Sequence, residues 1–293
     1  MSKRWMPQSL DDVPDRLILF DGVRVLCCWW VRFVIEHDAS ARFRFVAIQS
    51  TRGSALATPR GPRGKLVSQQ NGRSGVYLNM TREPSTSGSG IGSRLIPAEP
   101  TISGLRAAAE ACTACPLYEN ATQTVFGDGP EGSLLMLVGE QPGDAEDVAG
   151  KPFVGPAGKL LDRCLIEAGI DRARIYVTNA VKHFKWVPRG PRRIHSKPGA
   201  VEIEACFPWL EAEIAAVRPK IIVALGATAA QALFGKAVRV TRDRGRPVPS
   251  ALAPYAFVTV HPSALLRAPD EATRRRETLR FVEDLRQIAA RLR

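Results

Sequence analysis

His183 and His195 both fall in the segment TNAVKHFKWVPRGPRRIHSKP, residues 178–198. Lys182, Lys185, Arg189, Arg192, Arg193 and Lys197 surround them, Phe184 and Trp186 are interleaved, and no acid occurs between Asp171 and Glu202. A run so basic, broken by Gly and Pro, suits a loop that grips a polyanion. An imidazole can serve as nucleophile, as acid or base, or as metal ligand. Two of the chain's four histidines in such a loop therefore point to chemistry on that polyanion. The alternative is a solvated loop in which neither acts. A second constellation is Cys112-Thr113-Ala114-Cys115, spaced to chelate one metal centre. By itself a CxxC is open between zinc, thiol redox and iron–sulfur use.

The composition is compatible with both readings. The 293 residues can form one large domain or two small ones, and 45% hydrophobic content fills a normal core. A formal charge of +12 favours an acidic partner such as nucleic acid. The most apolar early run, residues 17–35, is interrupted by Asp21, Arg24 and Arg32, so no membrane span is expected. That run also lacks the small-residue cleavage pattern of a signal peptide. A cytoplasmic chain is the expectation, and its six cysteines are then free thiols or ligands rather than disulfides.

The elements that must position these residues lie in the second part of the chain. Residues 1–95 are poorly patterned: 17–37 could hold two or three strands, and 50–94 is rich in Arg, Gly, Ser and Pro. That composition suits a linker or disorder, so the region is expected to be disordered or a non-native extension. From 96 to 293 the pattern becomes orderly. Short apolar runs at 134–138, 175–177, 221–225 and 256–260 read as strands. They alternate with helical stretches at 102–110, 159–168, 201–217, 227–233 and 271–292. This predicts a three-layer α/β/α fold around a parallel four-stranded sheet. In such folds ligands sit outside the carboxyl ends of the strands. GEQPGD, TNA, LGA and HPS all fall at those ends, which argues for a single site.

Taken together, GEQPGDAEDVAGKPFVGPAG, TNAVKHFKW, LGATAA and VHPSALLR resemble the uracil-DNA glycosylase superfamily. They look most like family X, the branch related to the iron–sulfur family 4 enzymes. The resemblance runs from about Ile96 to Arg293 and implies uracil-containing DNA as partner. Single strands are the expected preference, since no base pair is broken before the base enters the pocket, and a monomer is expected. It implies that Phe153 stacks on a flipped uracil, that Asn179 reads its edge, and that His261 stabilises the departing base. Gly139, Gly143 and Gly155 then allow close backbone approach. Arg192, Arg193, Lys185, Ser196, Ser263 and Arg267 are expected on the DNA, with Leu265 or Leu266 as a wedge.

The same resemblance implies that His195, in Arg192-Arg193-Ile194-His195-Ser196, attacks C1′ and leaves the enzyme attached to the abasic DNA. Glu140 is the expected partner of His195, with Gln141 and Asp144 supporting the loop. It further implies a [4Fe-4S] cluster on Cys112, Cys115, His183 and Cys206, with Cys164 as a rival ligand. Two other activities fit the same residues: an ordinary multiple-turnover glycosylase, and a non-catalytic iron–sulfur DNA-binding module.

Overall fold

The computed structural model describes residues 17–20, 44–47, 95–98 and 100–292. The chain divides into two units, Met1–Pro84 and Ser85–Arg293. In the first, β1 (Leu17–Phe20) pairs in parallel with β2 (Arg44–Ala47). The rest of the 17–37 stretch, Cys27 and Cys28, and the 50–94 stretch lie outside the described residues.

The second unit is built on four strands, β3 (Leu135–Gly139), β4 (Ile175–Asn179), β7 (Ile221–Leu225) and β8 (Tyr255–Thr259). They form a sheet of order β4-β3-β7-β8 in which all pairs are parallel. Residues of β3, β4 and β7 are buried along their whole length, which is why they read as unbroken apolar runs rather than alternating ones. The three-layer α/β/α expectation holds.

Strand alternation divides the core between the two faces. Leu135, Leu137, Ile175, Val177, Val223 and Phe257 pack with α3 (Pro156–Glu167) and α8 (Glu271–Ala289), through Leu161, Leu165, Phe281 and Leu285. Each such side chain, fully buried, contributes about 1.5–3 kcal/mol. The opposite face, with Tyr176 and Thr178, meets α4 (Ala200–Val217), and α1 (Ile102–Ala109) packs on α4. Helix α3 starts at Pro156, three residues before the expected 159. Pro suits a first helical position because its missing N–H has no partner there anyway.

Two elements depart from expectation. Asp144–Ala149 forms a short helix, α2, right after the first motif. The basic segment, expected as a loop, is instead an antiparallel hairpin of β5 (Trp186–Arg189) and β6 (Arg192–His195). Gly190, at φ 58°, supplies the left-handed turn residue between them. After the hairpin and α4, the chain enters β7 on the far side of β3 from β4. The direction of strand addition thus reverses at β3, and a crevice opens between the loops following β3 and β7. The described chain is completed by α5 (Ala227–Phe234), α6 (Val240–Asp243) and α7 (Pro262–Leu266).

Candidate active site

Gly139 and Asn179 face each other in the β3–β4 register, at the carboxyl ends of the two strands. A Cβ on Gly139 would lie 2.8 Å from Cζ of Phe153 and collide with Oδ1 of Asn179, so the glycine keeps the space between ring and amide open. Phe153 has a positive φ of 59°, a strained setting for a non-glycine residue, while its ring packs on the apolar core. Gly158 makes this possible: any side chain there would run into the Phe153 backbone. The ring lies 5.9 Å from that of His261, the two planes tilted by 31°.

His261 caps the N-terminus of α7. Its Nδ1 accepts the backbone N–H of Ser263 at 3.1 Å and lies 2.8 Å from the Ser263 hydroxyl. An Nδ1 that accepts carries no proton, so a neutral ring is protonated on Nε2, which is left as a donor. Desolvation, with Arg267 and His195 adding to it against the pull of Glu140, pushes His261 down to about 4. Ser263, expected on a phosphate, is thus engaged in orienting this ring. Of the two wedge candidates, Leu265 is buried in the core and Leu266 is exposed.

The carboxylate of Asn179's neighbouring loop is Glu140. Its Oε1 is 3.2 Å from Nε2 of His195, which is half-exposed at the end of β6. Burial works to raise the Glu140 carboxyl, but the bonds from His195 and Thr228 and the charges of His195 and Lys197 outweigh it and hold it low. His195 also lies 6.3 Å from the ring of Phe184.

Within β6 only Arg193 is part-buried, while Arg192, Ile194 and His195 are exposed, His195 still reaching Glu140 from the rim. Arg193 reaches Asp144 at 2.7 Å and the fully buried Asp147 at 2.6 Å, between the rings of Phe184 and Trp186. Arg193, expected on the DNA, anchors the hairpin through these two pairs. Asp144 is likewise part of that anchor. Gln141 cross-ties the hairpin base, its amide donating to the carbonyls of Lys185 and Ser196 and accepting from the Lys185 N–H. Lys185 pairs with Glu202 at 2.6 Å. Arg192, Lys197 and Arg267 remain exposed.

Gly143 does not present a free N–H to a ligand, because Glu146 accepts it at 3.1 Å and also accepts that of Gly155 at 2.8 Å. Glu146, Asp147 and Thr228 are site-supporting residues that sequence reasoning missed. An i, i+3 acid pair, Asp144 and Asp147, opposite a basic hairpin was the available signal for one of them.

Below the site, Cys112, Cys115 and Cys206 are all buried. Burial pushes the Cys206 thiol up to about 12, with smaller contributions from Cys115 and Cys112, so the three lie within electrostatic reach. Cys206 accepts the Lys182 N–H and Cys112 the Trp209 indole N–H, each at 3.2 Å. Among the described residues no three His, Cys, Asp or Glu converge as a single ion requires. His183 Nε2 is 2.9 Å from the Thr124 hydroxyl, whose one proton goes to the Ala109 carbonyl. The imidazole must therefore donate from Nε2, and Nδ1 keeps its lone pair, the state a metal ligand needs. Cys164, the rival ligand, sits in the core against α8.

Comparison with known proteins identifies the family. The family model described as the uracil DNA glycosylase superfamily matches residues 126–286. A second model, DCC1-like thiol-disulfide oxidoreductase, matches residues 18–122, less than half of the chain. The Type-4 uracil-DNA glycosylase of Thermotoga maritima is 42% identical over 165 residues, 56% of this chain and 82% of that protein. That of Pyrobaculum aerophilum is 36% identical over 165 residues, 54% of this chain and 81% of that protein. With more than half its length matched by the family model and the crevice residues in place, the chain belongs to the uracil-DNA glycosylase superfamily.

Proposed function

We propose that this chain excises uracil from DNA and, in the manner of family X, captures the resulting abasic site on His195. The observation that carries the capture step is the 3.2 Å contact between His195 Nε2 and Glu140, on a hairpin tied to the wall of the base pocket. The base enters between Phe153 and Asn179. The C1′–N1 bond breaks, its electron pair leaves with uracil, and the Nε2–H of His261 donates to the oxygen on which charge collects. A neutral His261 donates without trapping uracil as a tight ion pair. The lone pair of the His195 nitrogen that does not face Glu140 then forms the bond to C1′. The proton on Nε2 passes to Glu140, which leaves a neutral alkylated imidazole, a poor leaving group, so the adduct persists.

Single-stranded substrate reacts best, because no pair is broken before the base flips. Cys112, Cys115, His183 and Cys206 would hold the [4Fe-4S] cluster that the resemblance implies, with buried thiols that accept N–H donors as ligands. Such a cluster would cross-link the segments that carry Cys112 and Cys115, His183, and Cys206. Purified protein with about four irons and a broad visible absorption, against stoichiometric zinc, is the check.

The test of the activity is incubation with a uracil-containing oligonucleotide followed by denaturing electrophoresis. A band shifted by the mass of the oligonucleotide, absent from His195→Ser, supports capture. Uracil release without a shift assigns an ordinary multiple-turnover glycosylase, and no release assigns a binding module.

A further inference from the structure

Glu140 has two carboxylate oxygens, and only one faces His195. Oε1 lies 3.2 Å from the imidazole, while Oε2 accepts a short hydrogen bond from the hydroxyl of Thr228. Thr228 is the second residue of α5, is 4% exposed, and follows β7 directly. Strands β3 and β7 are hydrogen-bonded neighbours, with Val138 opposite Ala224, so this contact spans the crevice between their loops. The donor is stiff. A buried threonine at the start of a helix has its β-branched side chain confined to few rotamers. The acceptor is not: a part-exposed glutamate, 23% accessible, has three side-chain torsions to restrain. The amino end of α5 also favours a negative charge at this place.

We propose that Thr228 is a positioning residue that holds the Glu140 carboxylate edge toward His195, and so sets the division between covalent capture and release of a free abasic site. This rests on the capture reading above. Without the Thr228 donor, Oε1 is free to swing away, the imidazole loses its orientation, and water reaches the cationic C1′ first. The hydroxyl has a second effect. By donating to Glu140 it keeps the carboxylate ionised to lower pH, so that the acceptor of the Nε2 proton is present over a wider pH range. The charged and titratable groups facing Glu140 are His195 and Lys197 from the hairpin side and His261 from the loop after β8. Burial opposes ionisation here, and the Thr228 bond is among the interactions that overcome it.

The experiment uses the full-length chain with a uracil-containing oligonucleotide, quenched at several pH values. Adduct and free abasic DNA are quantified on one denaturing gel. In Thr228→Val, which keeps the shape and loses the donor, the ratio of adduct to abasic DNA falls about 10- to 100-fold, the worth of one hydrogen bond to a charged group. Capture requires ionised Glu140, so its acid limb moves to higher pH when the donor is removed. Thr228→Ser retains the donor and restores both. Thr228→Ala, helix-compatible and without overpacking, repeats the result of valine. A wild-type ratio and acid limb in folded Thr228→Val and Thr228→Ala would overturn the proposal, as would an equal loss of uracil release and capture. A wild-type control that releases uracil and forms no adduct overturns the capture reading itself, and the role given to Thr228 with it.

Discussion

Replacing Lys182 with methionine would remove the cation from a fully internal charge network beneath the base pocket. Lys182 is 1% exposed and Glu213 not exposed at all. All three ammonium protons are used, on Thr178 Oγ1 at 2.7 Å, on the Asn179 carbonyl at 2.7 Å and on Glu213 at 2.5 Å. Glu213 in turn accepts from the Gly127 N–H, the Tyr176 hydroxyl and the Thr178 hydroxyl. Burial, then Glu213, pushes the Tyr176 phenol far up, so it stays a neutral donor. Lys182→Met therefore strands a buried carboxylate with neutral donors alone. Breaking a buried pair in this way costs about 3–5 kcal/mol. For a unit of this size that is a fall of roughly 6–20 °C in the melting temperature, read by circular dichroism. Lys182→Met combined with Glu213→Gln removes both charges and should recover a substantial part of the loss. At a temperature where Lys182→Met is folded, uracil release should also weaken, because Asn179 has lost the tether on its carbonyl. A single variant within about 1 kcal/mol of wild type, or a double variant whose loss is the sum of the two singles, would refute this account of the network.

Three further outcomes follow from the site. His261 should titrate near pH 4 by proton NMR, because desolvation depresses it from the ordinary 6.5. Between those values the unfolded chain binds the extra proton, so this residue's contribution makes the protein less stable as pH falls through that window; a midpoint at or above 6.5 would contradict the assignment. Gly139→Ala should leave the fold intact but cut uracil release by about two orders of magnitude, since its methyl fills the space between Phe153 and Asn179. Wild-type rates in that variant would show that the base does not use this space. Arg193→Gln should free the hairpin from Asp144 and Asp147, lowering the ratio of adduct to abasic DNA and raising proteolysis between Trp186 and His195. Arg193→Lys should not restore the ratio, because an ammonium cannot reach both acids in the guanidinium's forked geometry.

The sheet was legible in the sequence because a strand buried on both faces must be largely apolar, and 134–138, 175–177, 221–225 and 256–260 are, with Thr259 the one hydroxyl among the last. Boundaries shifted only where local chemistry intervened, as at Pro156. The motif residues Glu140, Phe153, Asn179 and His261 were found from the motifs at the strand ends, and the structure gathers them at one crevice. The hairpin was missed because Pro188 lies within its first strand, Pro191 lies in its turn, and it has no alternating apolar face. It is held instead by contacts from elsewhere: Trp186 to Asn120, Gln141 to Lys185 and Ser196, and Arg193 to Asp144 and Asp147.

Residue type and spacing alone determined the order of the four sheet strands and the main helices between them, the concentration of polar motifs at strand ends, and the basic character of 178–198. Hydrophobic patterning carries those facts, and it is local. Which of two adjacent arginines is exposed, which nitrogen of each histidine is a donor, and which hydroxyl holds Glu140 were decided only by the tertiary structure. Each depends on a partner far away in the chain. Glu140 and Thr228 are 88 residues apart, and Thr124 and His183 are 59 apart. A proton's place on an imidazole follows from what faces the ring, and only folding brings those groups together.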